Sequence, residues 1–111
     1  NPKLNSTIQI GGIVRRAGHP SNPGKPLNGG PQMVELSRDG RRVYVTTSLY
    51  KAVDDQIYPD GVKGWMMKLD VDPTTGKMQV DPRFFPHFDG LRPHQTRLGG
   101  GDASSDSYCY A

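Results

Sequence analysis

The sequence contains one cysteine, Cys109, and this scarcity excludes a disulfide bond within the chain. No apolar run approaches the roughly 18 residues of a membrane span, and no secretion signal is visible. The net charge of +3 is spread along the chain, and basic residues occur only as pairs such as Arg41-Arg42. We therefore expect neither a membrane span nor a nucleic-acid partner. The first residue is Asn1 rather than Met, which leaves open cleavage or a separate gene as its origin.

Glycine and proline are abundant, with 14 and 10 residues, whereas only 33% of the residues are hydrophobic. This composition indicates a turn-rich β protein rather than a disordered chain. It also provides few apolar residues for a domain of 111 residues that must build its own core. The chain is therefore expected to be part of something larger.

The stretch from Gly29 to Tyr50 carries the strongest structural signal. Two strand-forming runs, Met33–Leu36 and Val43–Leu49, flank the Asp39-Gly40 pair that is typical of a β-hairpin. Neither set of alternating residues in the second run is charged, so both faces of that strand should be covered. A sheet of this size is not expected to supply both covering layers from this chain alone.

The residues before this hairpin predict one strand and one loop. Ile8 and Ile10 share a face within a strand expected over Leu4–Val14. The proline-rich stretch Ala17–Pro31 reads as a loop, in which His19 is expected to be solvated.

The segment after the hairpin, Lys51–Lys63, has no sustained period and is expected to be an insertion loop that leaves the sheet. Its acids Asp54, Asp55 and Asp60 could bind a cation such as calcium, but their spacing does not match an EF-hand loop. Solvated acidic side chains are the favoured interpretation.

Three further β elements are predicted towards the C-terminus. Trp65–Val71 alternates apolar and polar residues as a half-buried strand does. A turn over Asp72–Gly76 leads into a short return strand, Lys77–Val80. The aromatic run Phe84–Phe88, interrupted by Pro86, is typical of an edge strand.

The chain also contains a partial repeat. Pro31-Gln32-Met33 precedes Leu36, and Pro93-His94-Gln95 precedes Leu98, with the same offset of 62 residues. A repeated strand start in a turn-rich β chain indicates a propeller or a similar array. Two partial repeats are too few to close a ring, so the sheet must be completed elsewhere.

In a propeller, Gln32 and His94 would occupy equivalent positions where inner strands begin, near the central axis. Imidazole suits copper, zinc or iron, so several such histidines could form a ring of ligands. On spacing alone, a hydrogen-bonded structural histidine is the favoured interpretation of His94. Asp102, in a glycine-rich turn, could fix backbone amides or orient a ligand histidine.

Three stretches resemble the selenium-binding protein family, whose members include methanethiol oxidases. GGPQMVELSRDGRRVYVTTSLY, followed by QIYPD, resembles the last complete blade of that family, and NPKLNSTIQIGG resembles the strand leading into it. HQTRLGGGDASSD resembles the C-terminal motif of the family. Together these similarities extend over nearly all of the chain.

This resemblance implies an all-β fold in which residues 1–111 are a C-terminal fragment or subunit of one seven-bladed β-propeller, incomplete on its own. It implies copper-dependent oxidation of methanethiol, a step of sulfur metabolism, by dioxygen and water to formaldehyde, hydrogen sulfide and hydrogen peroxide. His94 is then the expected copper ligand, and Gln32, Arg97 and Asp102 are candidates for supporting the ligands. The remaining blades would come from a partner or cleaved chain, and the assembly could form homo-oligomers.

Localisation stays open, because bacterial relatives are often periplasmic and animal relatives cytoplasmic. Two other functions also stay open at this stage. One is a non-catalytic propeller that serves as a scaffold for protein or small-ligand binding, since one fold hosts many functions. The other is a lactonase-like hydrolase, which His94 and Gln32 fit less well because it needs acidic metal ligands.

Overall fold

The computed structural model of the chain describes residues 2–12, 17–47, 51–57 and 62–105. Within them the fold is mostly β, with antiparallel sheets and little helix. The elements in chain order are β1 (Gly18–His19), β2 (Asn22–Pro26), β3 (Pro31–Leu36), β4 (Arg42–Thr47), α1 (Lys51–Ile57), β5 (Met66–Val71), β6 (Met78–Val80) and a 3₁₀ turn (Gly99–Gly101). None of the helices among these residues has the length and apolar character to cross a membrane.

The main sheet has four strands in the order β3-β4-β5-β6, each antiparallel to its neighbours. The predicted hairpin is confirmed: β3 and β4 pair with Val34 opposite Val45, and Gly40 in the turn has a φ of 70°. Asp39 fixes that turn by accepting hydrogen bonds from the Ser37 hydroxyl and the Arg41 amide. The predicted residues Ser48–Tyr50 lie outside the described part of the chain.

The half-buried strand and its return strand are also confirmed as β5 and β6. Between them, Asp72 stabilises the turn by accepting hydrogen bonds from the Thr74 amide and the Thr75 hydroxyl. The alternating residues Trp65, Met67 and Leu69 are buried. Trp65 and Met67 join Leu27 and Val45 in the core, against which Ile10, Val43, Val80 and Phe85 pack.

Both faces of β4 are covered, as predicted, but the covering layers come from this chain. Leu27 packs on the face that carries Val45, while Phe84 lies edge-on against Tyr44 on the other face. The expectation that only other chains could cover β4 is therefore wrong. The short loops of this turn-rich chain fold back over their own sheet.

Two predicted strands are wrong. Ile8 and Ile10 are half-buried and alternate with the exposed Thr7 and Gln9, but no strand forms over residues 2–10, because no neighbouring strand among the described residues offers them a hydrogen-bonded ladder. Residues 13 and 14 of the predicted strand lie outside the described residues. The run Phe84–Phe88 is not a strand either. Pro86 lacks an amide donor there, and the rings are used for packing instead.

Two predicted loops contain regular structure. The proline-rich stretch forms the short hairpin of β1 and β2, and His19 within it is fully buried rather than solvated. The insertion after β4 contains helix α1, which shows no helical period in the sequence. Its Asp54 is buried in an ion pair with Arg92, so the interpretation of that carboxylate as solvated is wrong. Asp60 lies outside the described residues.

Candidate functional site around His94

His94 lies at the end of the main sheet where β3 begins and β4 ends, here called the leading end. The Thr46 hydroxyl donates a 2.7 Å hydrogen bond to the His94 carbonyl oxygen, and Thr46 itself is 1% exposed. Thr46 pairs with Met33 on β3, so the backbone of His94 is held beside the start of that strand. The His94 side chain is exposed. The main chain is therefore fixed while the imidazole is presented outward.

The residues that lead into His94 are held by a buried guanidinium. The Arg92 side chain, 8% exposed, forms an ion pair with Asp54 of α1 and donates a 2.7 Å hydrogen bond to the Val62 carbonyl. The neighbouring backbone also packs tightly against Gly64, where an added Cβ would lie 3.0 Å from the Arg92 Cα. Helix α1 thus serves as an anchor for the His94 segment.

Gln32 lies at the same end of the sheet as His94. It occupies the irregular start of β3, where the register shifts between Pro31 and Met33, and its side chain is exposed. Met33 is the partner of Thr46, whose hydroxyl holds His94. The two positions that the repeat makes equivalent therefore meet at the leading end.

Asp102 lies towards the opposite end of β3, beside the hairpin turn. Its carboxylate pairs with the Arg42 guanidinium, and its carbonyl accepts a 2.7 Å hydrogen bond from the Arg38 amide. The Asp102 hydrogen bond raises the pKa of Arg42 further above its ordinary value. Arg97 is exposed between these two ends. The supporting roles expected of Arg97 and Asp102 towards metal ligands stay predictions.

Glu35 is a site residue that the sequence did not single out. Its buried carboxylate accepts hydrogen bonds from the Ser104 hydroxyl, the Ser105 amide and hydroxyl, and the Leu36 amide. Burial alone would raise the pKa of Glu35, but these hydrogen bonds, led by those from Ser105, lower it below the ordinary value. The serines of the C-terminal motif therefore fasten that motif to β3.

The docked C-terminal segment follows β3 along its length. His94 lies beside the Met33 end, Gln95 and Thr96 share a shallow depression with Met33, Val34 and Glu35, and Ala103 bridges to Ser37. The segment thus passes from the start of β3 towards the hairpin turn, and its bridge to Ser37 there is antiparallel. A second copy of the repeated motif lies beside the first.

His19 is the other buried polar group that the sequence pattern missed. Its ring stacks on Phe85 with centroids 4.3 Å apart, and its Nδ1 accepts a hydrogen bond from the Ser21 amide. Its Nε2 is buried without a hydrogen-bond partner in the described part of the chain. Only the long-range contact with Phe85 explains the burial, and no local pattern encodes that contact.

No group of three histidine, cysteine, aspartate or glutamate side chains that could hold a metal ion occurs among residues 2–12, 17–47, 51–57 and 62–105. His94 could supply one imidazole donor to a metal, and other donors would have to come from elsewhere. Cys109 lies outside the described residues.

The family of the chain follows from its sequence. Residues 1–109 match the family model of the 56kDa selenium binding protein (SBP56), and the chain belongs to that family. It is 40% identical to a methanethiol oxidase of Xenopus tropicalis over 129 aligned positions, which include 96% of this chain. It is 48% identical to a methanethiol oxidase of Bos taurus over 91 positions, which include 75% of this chain.

A solved structure is similar to nearly the whole chain. The X-ray structure of a hypothetical selenium-binding protein from Sulfolobus tokodaii matches with a TM-score of 0.77 and 58% identity over 94% of this chain, which corresponds to 22% of that protein. The chain likewise spans only 27% of the Xenopus protein and 19% of the bovine one. It thus corresponds to about a quarter or less of these relatives.

Proposed function

We propose that this chain forms one blade and adjoining strands of a seven-bladed β-propeller whose other blades lie outside it. The four-stranded antiparallel sheet, with its strands in sequence order, is the arrangement of a propeller blade. Membership of the selenium-binding protein family and the small share of the relatives that it spans support the same proposal.

The C-terminal segment supports this arrangement. Inner strands of adjacent propeller blades run side by side in the same direction around the axis. The segment passes from the start of β3 at His94 to beyond its end at Ala103, where its bridge to Ser37 is antiparallel, and its motif repeats that of β3. We assign it to the position where the next inner strand begins.

An uncovered apolar face on β3 supports incompleteness. Val34 and Leu36 pair with Val45 and Val43 and share their face, yet they are 55% and 44% exposed. Val45 on the same face is buried in the core. The apolar layer therefore continues beyond what this chain covers, and a neighbouring blade on a partner or cleaved chain would bury it.

We propose that His94 is one ligand of a copper ion at the propeller axis. The observation that carries this proposal is an exposed imidazole on a backbone that Thr46 and Arg92 hold in place at the leading end. Imidazole is a ligand that copper favours. The other ligands would be supplied by the remaining blades.

The proposed activity is the oxidation of methanethiol by dioxygen and water to formaldehyde, hydrogen sulfide and hydrogen peroxide. The methyl carbon is oxidised by two electrons, dioxygen is reduced by two electrons to hydrogen peroxide, and water supplies the carbonyl oxygen. Copper, when bound, would supply the redox chemistry that couples these two half-reactions. In this chain His94 would hold the metal, and the exposed Gln32 amide at the same end would contact substrate or solvent beside it.

Replacing His94 with alanine in the complete protein tests this proposal. His87 gives a matched control, because it is also exposed but stacks edge-on against Phe85 and is not a proposed ligand. Copper content by elemental analysis and release of formaldehyde from methanethiol would be measured on both variants. We expect His94→Ala to lose copper and turnover, and His87→Ala to keep both.

Unchanged copper and turnover in His94→Ala would remove His94 from the mechanism. A parent protein that binds no copper and does not turn over methanethiol would instead favour the non-catalytic scaffold. In the first outcome the parent protein binds copper and turns over methanethiol, and in the second it does neither, so the experiment distinguishes them.

A further inference from the structure

The segment that carries His94 is held by a buried ion pair between Arg92 and Asp54. Arg92 and Asp54 have side chains only 8% and 11% exposed, and the guanidinium also donates to the Val62 carbonyl. Taking two charges out of water costs several kcal/mol per ion, and replacing a buried ion pair with an apolar pair of similar volume often leaves a protein equally or more stable. The burial of this pair is therefore weak evidence that it serves stability.

A guanidinium restrains the orientation of its hydrogen-bond partners, which an apolar contact does not. Its planar, forked donors fix the angle as well as the distance of each partner. Here the fork is held by a helix carboxylate on one side and a main-chain carbonyl on the other. The Arg92 backbone therefore has a defined position relative to α1 and to the strand that follows it.

A second contact holds His94 from its other side. Thr46, near the end of β4, donates to the His94 carbonyl. Between the two held residues stands Pro93, whose ring restricts φ to about −65°. Two anchors separated by one proline leave the His94 main chain little freedom, although the imidazole is exposed.

We infer that Arg92, through Asp54, and Thr46 are positioning residues that hold the His94 main chain where its imidazole can reach the metal. This inference rests on the proposed function, because it takes His94 as a ligand. A metal ligand must be held to within a fraction of an ångström, and the residues around it supply that restraint. Neither Arg92 nor Thr46 needs to touch the metal.

Matched substitutions in the complete protein test the inference. Asp54→Asn removes the charge that holds Arg92, whereas Asp70→Asn removes an acid of β5 that pairs with Lys68 at 2.9 Å instead. Thr46→Val removes the hydroxyl donor at nearly constant volume, whereas Thr46→Ser keeps it. Copper affinity by competition titration, the Cu(II) electron paramagnetic resonance spectrum and the thermal unfolding midpoint would be measured for each variant.

We expect Asp54→Asn and Thr46→Val to weaken copper binding by about 10- to 100-fold and to change the Cu(II) spectrum. Asp70→Asn and Thr46→Ser should match the parent protein in copper affinity and in the Cu(II) spectrum. The unfolding midpoint separates positioning from loss of the fold, because a purely structural role would lower the midpoint without changing the spectrum of the copper that remains bound.

Parental affinity and spectrum in Asp54→Asn and Thr46→Val, with copper lost in His94→Ala, would overturn the positioning role and leave the proposed function standing. Parental copper binding in His94→Ala would overturn the proposed function instead. The positioning role would fall with it, because that role takes His94 as a ligand.

Discussion

Gly64 is the residue whose substitution should most directly disturb the His94 segment. A Cβ added there would lie 3.0 Å from the Arg92 Cα and closer still to the Leu91 carbonyl oxygen. Both neighbours are backbone atoms, so the added methyl group cannot be accommodated by rotating a side chain. Either the segment at Leu91 and Arg92 or the one at Gly64 must move.

The size of this effect follows from two opposing contributions. Overpacking a fitted contact costs about 1–3 kcal/mol. Replacing glycine with alanine returns about 0.4–1 kcal/mol, because it lowers the conformational entropy of the unfolded chain. Gly64→Ala should therefore lower the free energy of unfolding by about 1–2 kcal/mol.

Gly24→Ala is the matched control, because no atom lies within 4 Å of the Cβ that it would add. Urea denaturation of both variants in the complete protein measures the difference, and we expect the control to be no less stable than the parent and up to about 1 kcal/mol more stable. Copper affinity should fall with Gly64→Ala alone. Equal stability and equal copper affinity of the two variants would refute the close packing that holds the His94 segment.

Three further predictions concern the sheet and its charged groups. Met67→Ala should lower the free energy of unfolding by about 2–5 kcal/mol in urea denaturation, and Met66→Ala on the less buried face by clearly less; equal losses would contradict the assigned core. Glu35→Gln should cost about 1–3 kcal/mol at pH 7, because an amide cannot accept all the donors around it. Since the pKa of Glu35 is lowered, this difference should persist down to its ordinary pKa and shrink only as the pH falls further; a difference independent of pH would contradict the prediction. The Lys68 hydrogen bond lowers the pKa of Asp81 to about 2, so its contribution to stability should be lost as the pH falls from about 4 to 2, and an Asp81→Asn variant should lack that loss in acid unfolding.

Local sequence signals predicted the centre of this fold well. Asp39-Gly40 between two strand-forming runs identified the β3–β4 hairpin, because the turn residues and the strand residues both depend on local conformational preference. Alternation identified β5 in the same way, since burial of one face sets a period of two. The sequence repeat also placed Gln32 and His94 in equivalent positions, and both lie at the leading end of the sheet.

The features that were missed depend on contacts between residues far apart in the chain. Helix α1 has no helical period, and its buried Asp54 meets Arg92 almost forty residues later. Glu35 is held by Ser104 and Ser105, some seventy residues away. His19 is buried because Phe85 stacks on it. No local period or spacing reports such pairs, because the residues meet only once the chain has folded.

The most direct test of the central claim is to locate the metal in the complete protein. Diffraction data collected on either side of the copper absorption edge would place any bound copper by its anomalous signal. The account predicts a copper ion bonded to an imidazole nitrogen of His94, on the axis of a ring of blades that covers Val34 and Leu36. Copper bound only to other residues, with the His94 side chain in solvent and β3 still uncovered, would contradict it.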